Sequence, residues 1–266
     1  MVLNILQEIA GSTKERIEAR KKVSPPEKVM EMAQTMRTSD FPFEKALRTK
    51  DISFICEIKK ASPSKGVISA DFPYLNIAKE YETAGAAAIS VLTEPFYFMG
   101  SDCYLQEIAK TASVPLLRKD FVVDSYMIYE AKLLGASAVL LICAILTDDT
   151  LAEYINIAHS LGLSALVEAH SEEEVVMALA AGARVVGVNN RNLKTFEVDI
   201  TLSERLKRLV PPDIIFISES GIGQPEDIAK LREIGANAAL IGESIMRKSD
   251  KVTEINRLRG YEYDKG

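Results

Sequence analysis

Seven polar side chains fall at the ends of short apolar runs, in a phase that would aim all of them at one place. Side chains alternate between two faces along a strand. In the run Ser53–Lys59, Ile55, Glu57 and Lys59 share one face, while Phe54, Cys56 and Ile58 share the other. The apolar face is expected to meet helices, which leaves a carboxylate and an ammonium on the inner one. The same phase aligns Leu117, Lys119 and Phe121; Leu166, Glu168 and His170; Gly187, Asn189 and Arg191; and Ile217, Glu219 and Gly221. Any one of these charges could belong to a structural salt-bridge plug. The whole set is harder to explain that way, because each buried charge costs several kcal/mol unless paired and apolar layers would avoid that cost. Lysines set among carboxylates suit acid–base chemistry at tuned pKa values.

Such convergence needs a scaffold that brings distant strands to one rim. From residue 52 on, short β-rich runs alternate with helical stretches, a pattern of parallel strands joined by crossover helices. The predicted strands are Ser53–Lys59, Ala87–Leu92, Pro115–Lys119, Ala138–Cys143, Ala165–Glu168, Val185–Asn189, Ile214–Glu219 and Ala238–Gly242. A Gly-Ala pair precedes every second strand, at Gly85-Ala86, Gly135-Ala136, Gly182-Ala183 and Gly235-Ala236. The pairs recur at intervals of about 50 residues, enough for two βα units each. A glycine there suits the left-handed cap that ends a helix. Four double units give eight strands, and the expected fold is a (β/α)8 TIM barrel, whose active sites lie at the C-terminal ends of the strands. Residues 1–50 read as an N-terminal helical extension of a single 1–266 barrel domain. Leu3, Leu6, Ile9 and Ile17 recur at helical spacing, and Ser24-Pro25-Pro26-Glu27 predicts a second helix with Ser24 as its N-cap. Arg118 falls on the helix-facing side and is expected to snorkel to the rim.

After the seventh strand comes Ser218-Glu219-Ser220-Gly221-Ile222, and after the eighth Ile241-Gly242-Glu243-Ser244. Loops at these two places often bind phosphate in this fold. Small residues let backbone N–H groups approach the oxygens.

The 266 residues are 47% hydrophobic and 26% charged, with a net charge of −6, which argues against a nucleic-acid partner. Three cysteines, Cys56, Cys103 and Cys143, form no C-x-x-C pair and read as packing residues in a reducing cytoplasm. No signal peptide is expected, and apolar runs such as 136–146 are too short to span a membrane. Two histidines, His159 and His170, are too few for a histidine-rich metal site. His170 is read as a loop residue without a role.

The segment Cys56-Glu57-Ile58-Lys59-Lys60-Ala61-Ser62-Pro63-Ser64-Lys65-Gly66 resembles the E-x-K-x-x-S-P-S signature of indole-3-glycerol-phosphate synthases. Leu92-Thr93-Glu94 with Phe98 and Gly100, Leu117-Arg118-Lys119-Asp120-Phe121, Leu166-Val167-Glu168, Gly187-Val188-Asn189-Asn190-Arg191-Asn192-Leu193, Ser218-Glu219-Ser220-Gly221 and Ile241-Gly242-Glu243 are similar to that family too, in family order. The resemblance implies a cofactor-free, metal-free lyase of tryptophan biosynthesis. Its substrate would be 1-(2-carboxyphenylamino)-1-deoxyribulose 5-phosphate, closed to indole-3-glycerol phosphate with loss of CO2 and water. It implies Glu57, Lys59, Lys119, Glu168 and Asn189 as catalytic residues, with Lys119 the general acid. It also implies Ser62, Arg191 and Glu219 as substrate contacts, and Leu92, Phe98, Phe121, Leu140 and Ile142 as a slot for the ring. Phosphate would fall to Ser220, Gly221, Gly242 and Glu243, the last through its N–H alone. Association with other tryptophan-pathway enzymes is left open. The rivals are another phosphate-binding barrel, such as an isomerase or a Schiff-base aldolase with a nucleophilic lysine, and a non-catalytic barrel.

Overall fold

A computed structural model describes residues 5–192 and 195–260. Eight parallel strands close a barrel: β1 (Ser53–Ile58), β2 (Ala88–Leu92), β3 (Leu116–Lys119), β4 (Ala138–Ile142), β5 (Ser164–Ala169), β6 (Val185–Asn189), β7 (Ile215–Glu219) and β8 (Ala238–Ile241). Each pairs with its sequence neighbours, and β8 closes on β1. All eight predicted strands are present, with ends shifted by no more than a residue. The register sets Ile142 beside Glu168 and Asn189 beside Glu219, so side chains from separate βα units meet at one level.

The helices are α1 (Ile5–Val23), α2 (Pro26–Thr35), α3 (Pro42–Leu47), α4 (Tyr74–Thr83), α5 (Asp102–Ala109), α6 (Tyr126–Leu133), α7 (Asp148–Ser160), α8 (Glu172–Ala180), α9 (Thr201–Lys207), α10 (Pro225–Glu233), α11 (Glu243–Met246) and α12 (Lys251–Arg259). Alternation sorts the strand residues into two cores. Phe54, Cys56 and Ile58 pack outward with the helices. Ile55, Leu117, Leu166 and Ile217 fill the barrel interior. Gly85, Gly135, Gly182 and Gly235 all have positive φ directly after a helix, as the repeat required.

The N-terminal segment departs from expectation in two ways. It holds three helices among the described residues rather than two, since the short α3 was not anticipated. The second helix begins after Pro25, with no side-chain cap. Ser24 is therefore not its N-cap. Leu3 lies outside the described residues. The first and third helices close opposite ends of the barrel. Phe43 and Leu47 of α3 pack with Ala88, Ala138 and Ala238 at the N-terminal ends of strands, whereas Leu6 and Ile9 of α1 join Phe121, Leu140 and Ile142 at the C-terminal end. On α3 the buried Glu44 accepts, at its Oε1, Arg184 at 2.7 Å and the Ser164 hydroxyl at 3.1 Å.

Arg118 does face the helices, but it does not snorkel: its side chain is wholly buried. Its guanidinium reaches Asp102 at 2.8 Å, Glu130 at 2.7 Å and the Met127 carbonyl at 2.9 Å, so it needs no water. Cys56 and Cys143 are buried as expected of packing residues. Cys103 is exposed, with its thiol 3.3 Å from Glu107 on the outer face of α5, so it is not a packing residue.

Candidate active site

The C-terminal mouth of the barrel opens into a cavity of about 370 Å3 that every predicted site residue lines. Its floor is charged. Lys119, from the end of β3, places Nζ 2.5 Å from Glu219 Oε2 and 3.2 Å from Glu168 Oε2. Asn189 donates from Nδ2 to Glu168 Oε1 at 3.3 Å, and its Oδ1 accepts the Arg191 N–H at 3.1 Å. Lys59 donates to Glu57 on the same face of β1. Two glycines make room for the carboxylates. A Cβ on Gly187 would lie 2.3 Å from Glu219 Oε1, and one on Gly242 would lie 2.4 Å from Glu57 Oε1.

The floor carries three carboxylates against two ammonium groups, almost out of water. Burial alone would strip Lys119 of its proton, but the charges of Glu219, Glu168 and Glu57 outweigh it and hold the ammonium well above the ordinary lysine range. Burial likewise opposes ionisation of Glu168, yet Lys119, His170 and the Asn189 amide keep it below the usual carboxylate range. The surplus falls on Glu219, which burial and its two glutamate neighbours push up to about 7 against the pull of Lys119. Its Oε1 is buried without a hydrogen-bond partner. The site thus holds a fixed ammonium, a fixed carboxylate and a carboxyl able to change state near neutrality.

One wall is apolar. Phe98 and Phe121 stand 6.0 Å apart between ring centres, beside Leu92, Leu140 and Ile142. Ile5, Leu6 and Ile9 of α1 complete that wall. The helical spacing of Leu6 and Ile9 was legible, but not that they face the cavity. Phe98 is held by Glu94, a buried side chain that accepts the N–H groups of Phe96, Tyr97 and Phe98 at 3.0, 2.7 and 3.0 Å.

The opposite wall is made of the loops after β7 and β8. Ser220 and Gly221 both have positive φ (66° and 81°), which turns the chain sharply at the cavity. Asn190, out of phase with Asn189, points away from the cavity and donates to the Ser220 carbonyl at 3.1 Å, fixing that turn. Ser62 lies in a small hairpin, Ala61–Ser62 against Gly66–Val67, that overhangs the mouth and was not predicted. The Glu243 carboxylate has neighbours that sequence reasoning did not supply: Arg247 at 3.2 Å, and Lys65 and Arg191 each at 3.8 Å. Leu193, part of the Asn-x-Arg motif region, lies outside the described residues. Among the described residues, no group of three or more His, Cys, Asp or Glu side chains could hold a metal ion, and no helix is long and apolar enough to cross a membrane.

Comparison with known proteins puts this geometry in a family. The indole-3-glycerol phosphate synthase family pattern matches residues 6–258. The indole-3-glycerol phosphate synthase of Ruminiclostridium cellulolyticum is 61% identical over 257 residues, covering 96% of this chain and 99% of that one. The one from Lachnoclostridium phytofermentans is 50% identical, covering 96% and 98%. Among solved structures, a 3-hexulose-6-phosphate synthase aligns with a TM-score of 0.62 at 15% identity, covering 79% of this chain and 99% of that one, a likeness of fold alone.

Proposed function

The chain belongs to the indole-3-glycerol phosphate synthase family, and from that premise we propose how its pocket divides the work. The enzyme is a lyase: it converts 1-(2-carboxyphenylamino)-1-deoxyribulose 5-phosphate to indole-3-glycerol phosphate, releasing CO2 and water. The observation that carries the division is the position of Lys119, clamped between Glu168 and Glu219 at the floor, with an apolar wall on one side and the small-residue loops on the other.

The aromatic ring lies in the slot of Leu92, Phe98, Phe121, Leu140 and Ile142, closed by α1. The phosphate sits across the mouth on the N–H groups around Ser220, Gly221, Gly242 and Glu243. This pins both ends and leaves the ribulose carbonyl over Lys119. The ring carbon that bears the carboxylate attacks that carbonyl. As the bond forms, Lys119 gives its proton to the oxygen, which becomes a hydroxyl. The substrate separates Lys119 from Glu219, and losing that partner is what makes the ammonium acidic enough to act. The carboxylate then leaves as CO2, and its bonding pair restores the ring. Lys59 protonates the departing hydroxyl, Glu57 takes up the carbon-bound proton, and water leaves. Glu168 stabilises the positive charge that appears on the substrate nitrogen, oriented by Asn189. Ser62 and Arg191 bind the substrate's carboxylate and sugar side, and Glu219 faces its hydroxyls. The electrons of the decarboxylation stay in the ring, so the scheme calls for neither metal nor organic cofactor.

We take residues 1–266 as one domain, with 1–50 an extension of the barrel, because α1 walls the same cavity that the strands floor. The unpaired cysteines favour the cytoplasm as its compartment. The test is direct. Purified protein incubated with the carboxyphenylamino substrate should generate indole fluorescence without added metal and after chelation. A borohydride-trapped adduct with Lys119 or Lys59 would instead favour Schiff-base chemistry, and absence of turnover in folded protein would refute the reading.

A further inference from the structure

His170 follows β5 and has no part in the scheme above, yet its ring stands between two carboxylates. Nδ1 is 3.3 Å from Glu174 Oε2, and the same oxygen accepts the His170 backbone N–H at 2.7 Å. Glu174 is itself held at the start of α8, where its N–H donates to the N-cap hydroxyl of Ser171 at 3.3 Å. The ring is therefore oriented from behind by a group fixed to a helix. Nε2 points the other way. It is buried, makes no well-aligned hydrogen bond, and lies 3.4 Å from Glu168 Oε1, the oxygen that also receives Asn189. A histidine aimed by a rear carboxylate at a reactive group is the arrangement that fixes geometry and charge in many hydrolytic sites.

We propose that His170 is a positioning residue: as an imidazolium held by Glu174, it orients Glu168 and keeps it ionised for the charge that develops on the substrate. This rests on the reading of Glu168 given above. Its surroundings support a charged ring. Burial favours the neutral form, but the Glu174 hydrogen bond and the charges of Glu168, Glu174 and Glu219 together raise the ring above its ordinary 6.5. The other polar groups near it are Lys119, on the far oxygen of Glu168, and the Cys143 thiol, which donates to the Glu174 carbonyl at 3.6 Å. When the ring is neutral, only one nitrogen can donate, so the bridge from Glu174 to Glu168 is lost as pH rises through the ring's pKa.

Only two histidines occur in the chain, so NMR of histidine-labelled protein resolves the question directly, with His159→Gln to assign the signals. The His170 ring should titrate above 6.5 in the free protein, and Glu174→Gln should lower that value. kcat/KM should fall on the alkaline side with the same pKa and shift with it in Glu174→Gln. Glu219 titrates in a similar range, but it does not touch Glu174, so only the histidine limb should move. His170→Ala should lower kcat roughly tenfold, as expected for removing a close opposite charge from a buried carboxylate, with KM changed little. His170→Gln, whose amide reaches the Nε2 position, should recover most of that loss and lack the alkaline limb. His170→Asn, which reaches only the Nδ1 position, should not. A His170 signal that titrates at or below 6.5 and ignores Glu174→Gln would overturn the proposal. So would a His170→Ala enzyme with unchanged kcat and pH profile, or equal rescue by Asn and Gln. The NMR titration needs no substrate, so it stands or falls apart from the assigned reaction.

Discussion

Arg118 and Lys119 are neighbours on β3, both buried among carboxylates, and they face opposite sides of one sheet. Arg118 looks outward into a closed set of partners: Asp102, Glu130, the Met127 carbonyl and, at 3.2 Å, the Thr93 hydroxyl. The same carboxylates receive Arg20 of α1, at 2.5 Å from Asp102 and 2.6 Å from Glu130, and nearby Asp120 receives Arg16 at 2.8 Å. That network ties the N-terminal helix to the barrel. Lys119 looks inward at Glu168 and Glu219, and here the bonding is incomplete, since Glu219 Oε1 has no partner and a cavity lies above. The choice of cation follows. A guanidinium offers a rigid fork and does not release its proton, which suits a permanent joint. An ammonium can be shifted and can give a proton up. A finished network holds the fold, while an unfinished one with room beside it is where a substrate can complete the bonding.

The contrast can be broken by measuring stability and turnover on both sides. Lys119→Ala should lower kcat by roughly 10²–10⁴-fold, the usual range for a positioned acid, with KM changed little. Its melting temperature should stay near normal. Arg118→Leu should do the reverse. It takes one of two cations from Asp102 and Glu130, which keep Arg20, and should cost about 3 kcal/mol of stability, read by denaturant unfolding, while the folded fraction keeps most of its kcat. Loss of turnover without loss of stability there would erase the distinction.

Glu219→Gln sharpens the point that the inner network is strained. A carboxyl whose folded pKa is raised lends its full stability below its unfolded value near 4.5 and loses it as pH climbs through about 7. Replacing it should therefore leave stability unchanged in acid and raise it by at most about 3 kcal/mol at mildly alkaline pH, while activity falls. Thermal melts across that range decide it; a variant less stable at every pH would mean that Glu219 pays its way as a partner of Lys119. The smallest effect belongs to Glu243→Ser. Its carboxylate occupies Lys65, Arg191 and Arg247 at the mouth, and freeing them should lower KM by no more than about fivefold, the scale of exposed ion pairs. A raised KM would give that carboxylate a binding role.

Much of this was legible in the sequence. Period-two alternation placed Glu57, Lys119, Glu168 and Glu219 inside the barrel, because a strand leaves a side chain only two directions. What escaped depends on partners far away in sequence. Arg118 was expected at the rim because nothing local shows that Asp102 and Glu130, 16 and 12 residues away, converge behind it. Leu6 and Ile9 announced a helix but not its berth, which Arg16 and Arg20 fix through carboxylates more than 80 residues on. His170 shared the phase of Glu168, but its orientation comes from Glu174, one helical turn into α8. Gly242 was expected only as a phosphate contact and Gly187 only as sharing the phase of Asn189; that each makes room for a carboxylate depends on Glu57 and Glu219 from neighbouring strands.

The central claim is that Lys119 acts by giving up a proton rather than by its charge. Lys119→Arg tests it most directly, since arginine keeps the charge and can still pair with Glu168 and Glu219 but holds its proton too tightly to serve as an acid. Steady-state kinetics on the folded variant should give a kcat as low as that of Lys119→Ala. A kcat near that of the unaltered enzyme would contradict the account and leave Lys119 an electrostatic support, with Lys59 as the acid.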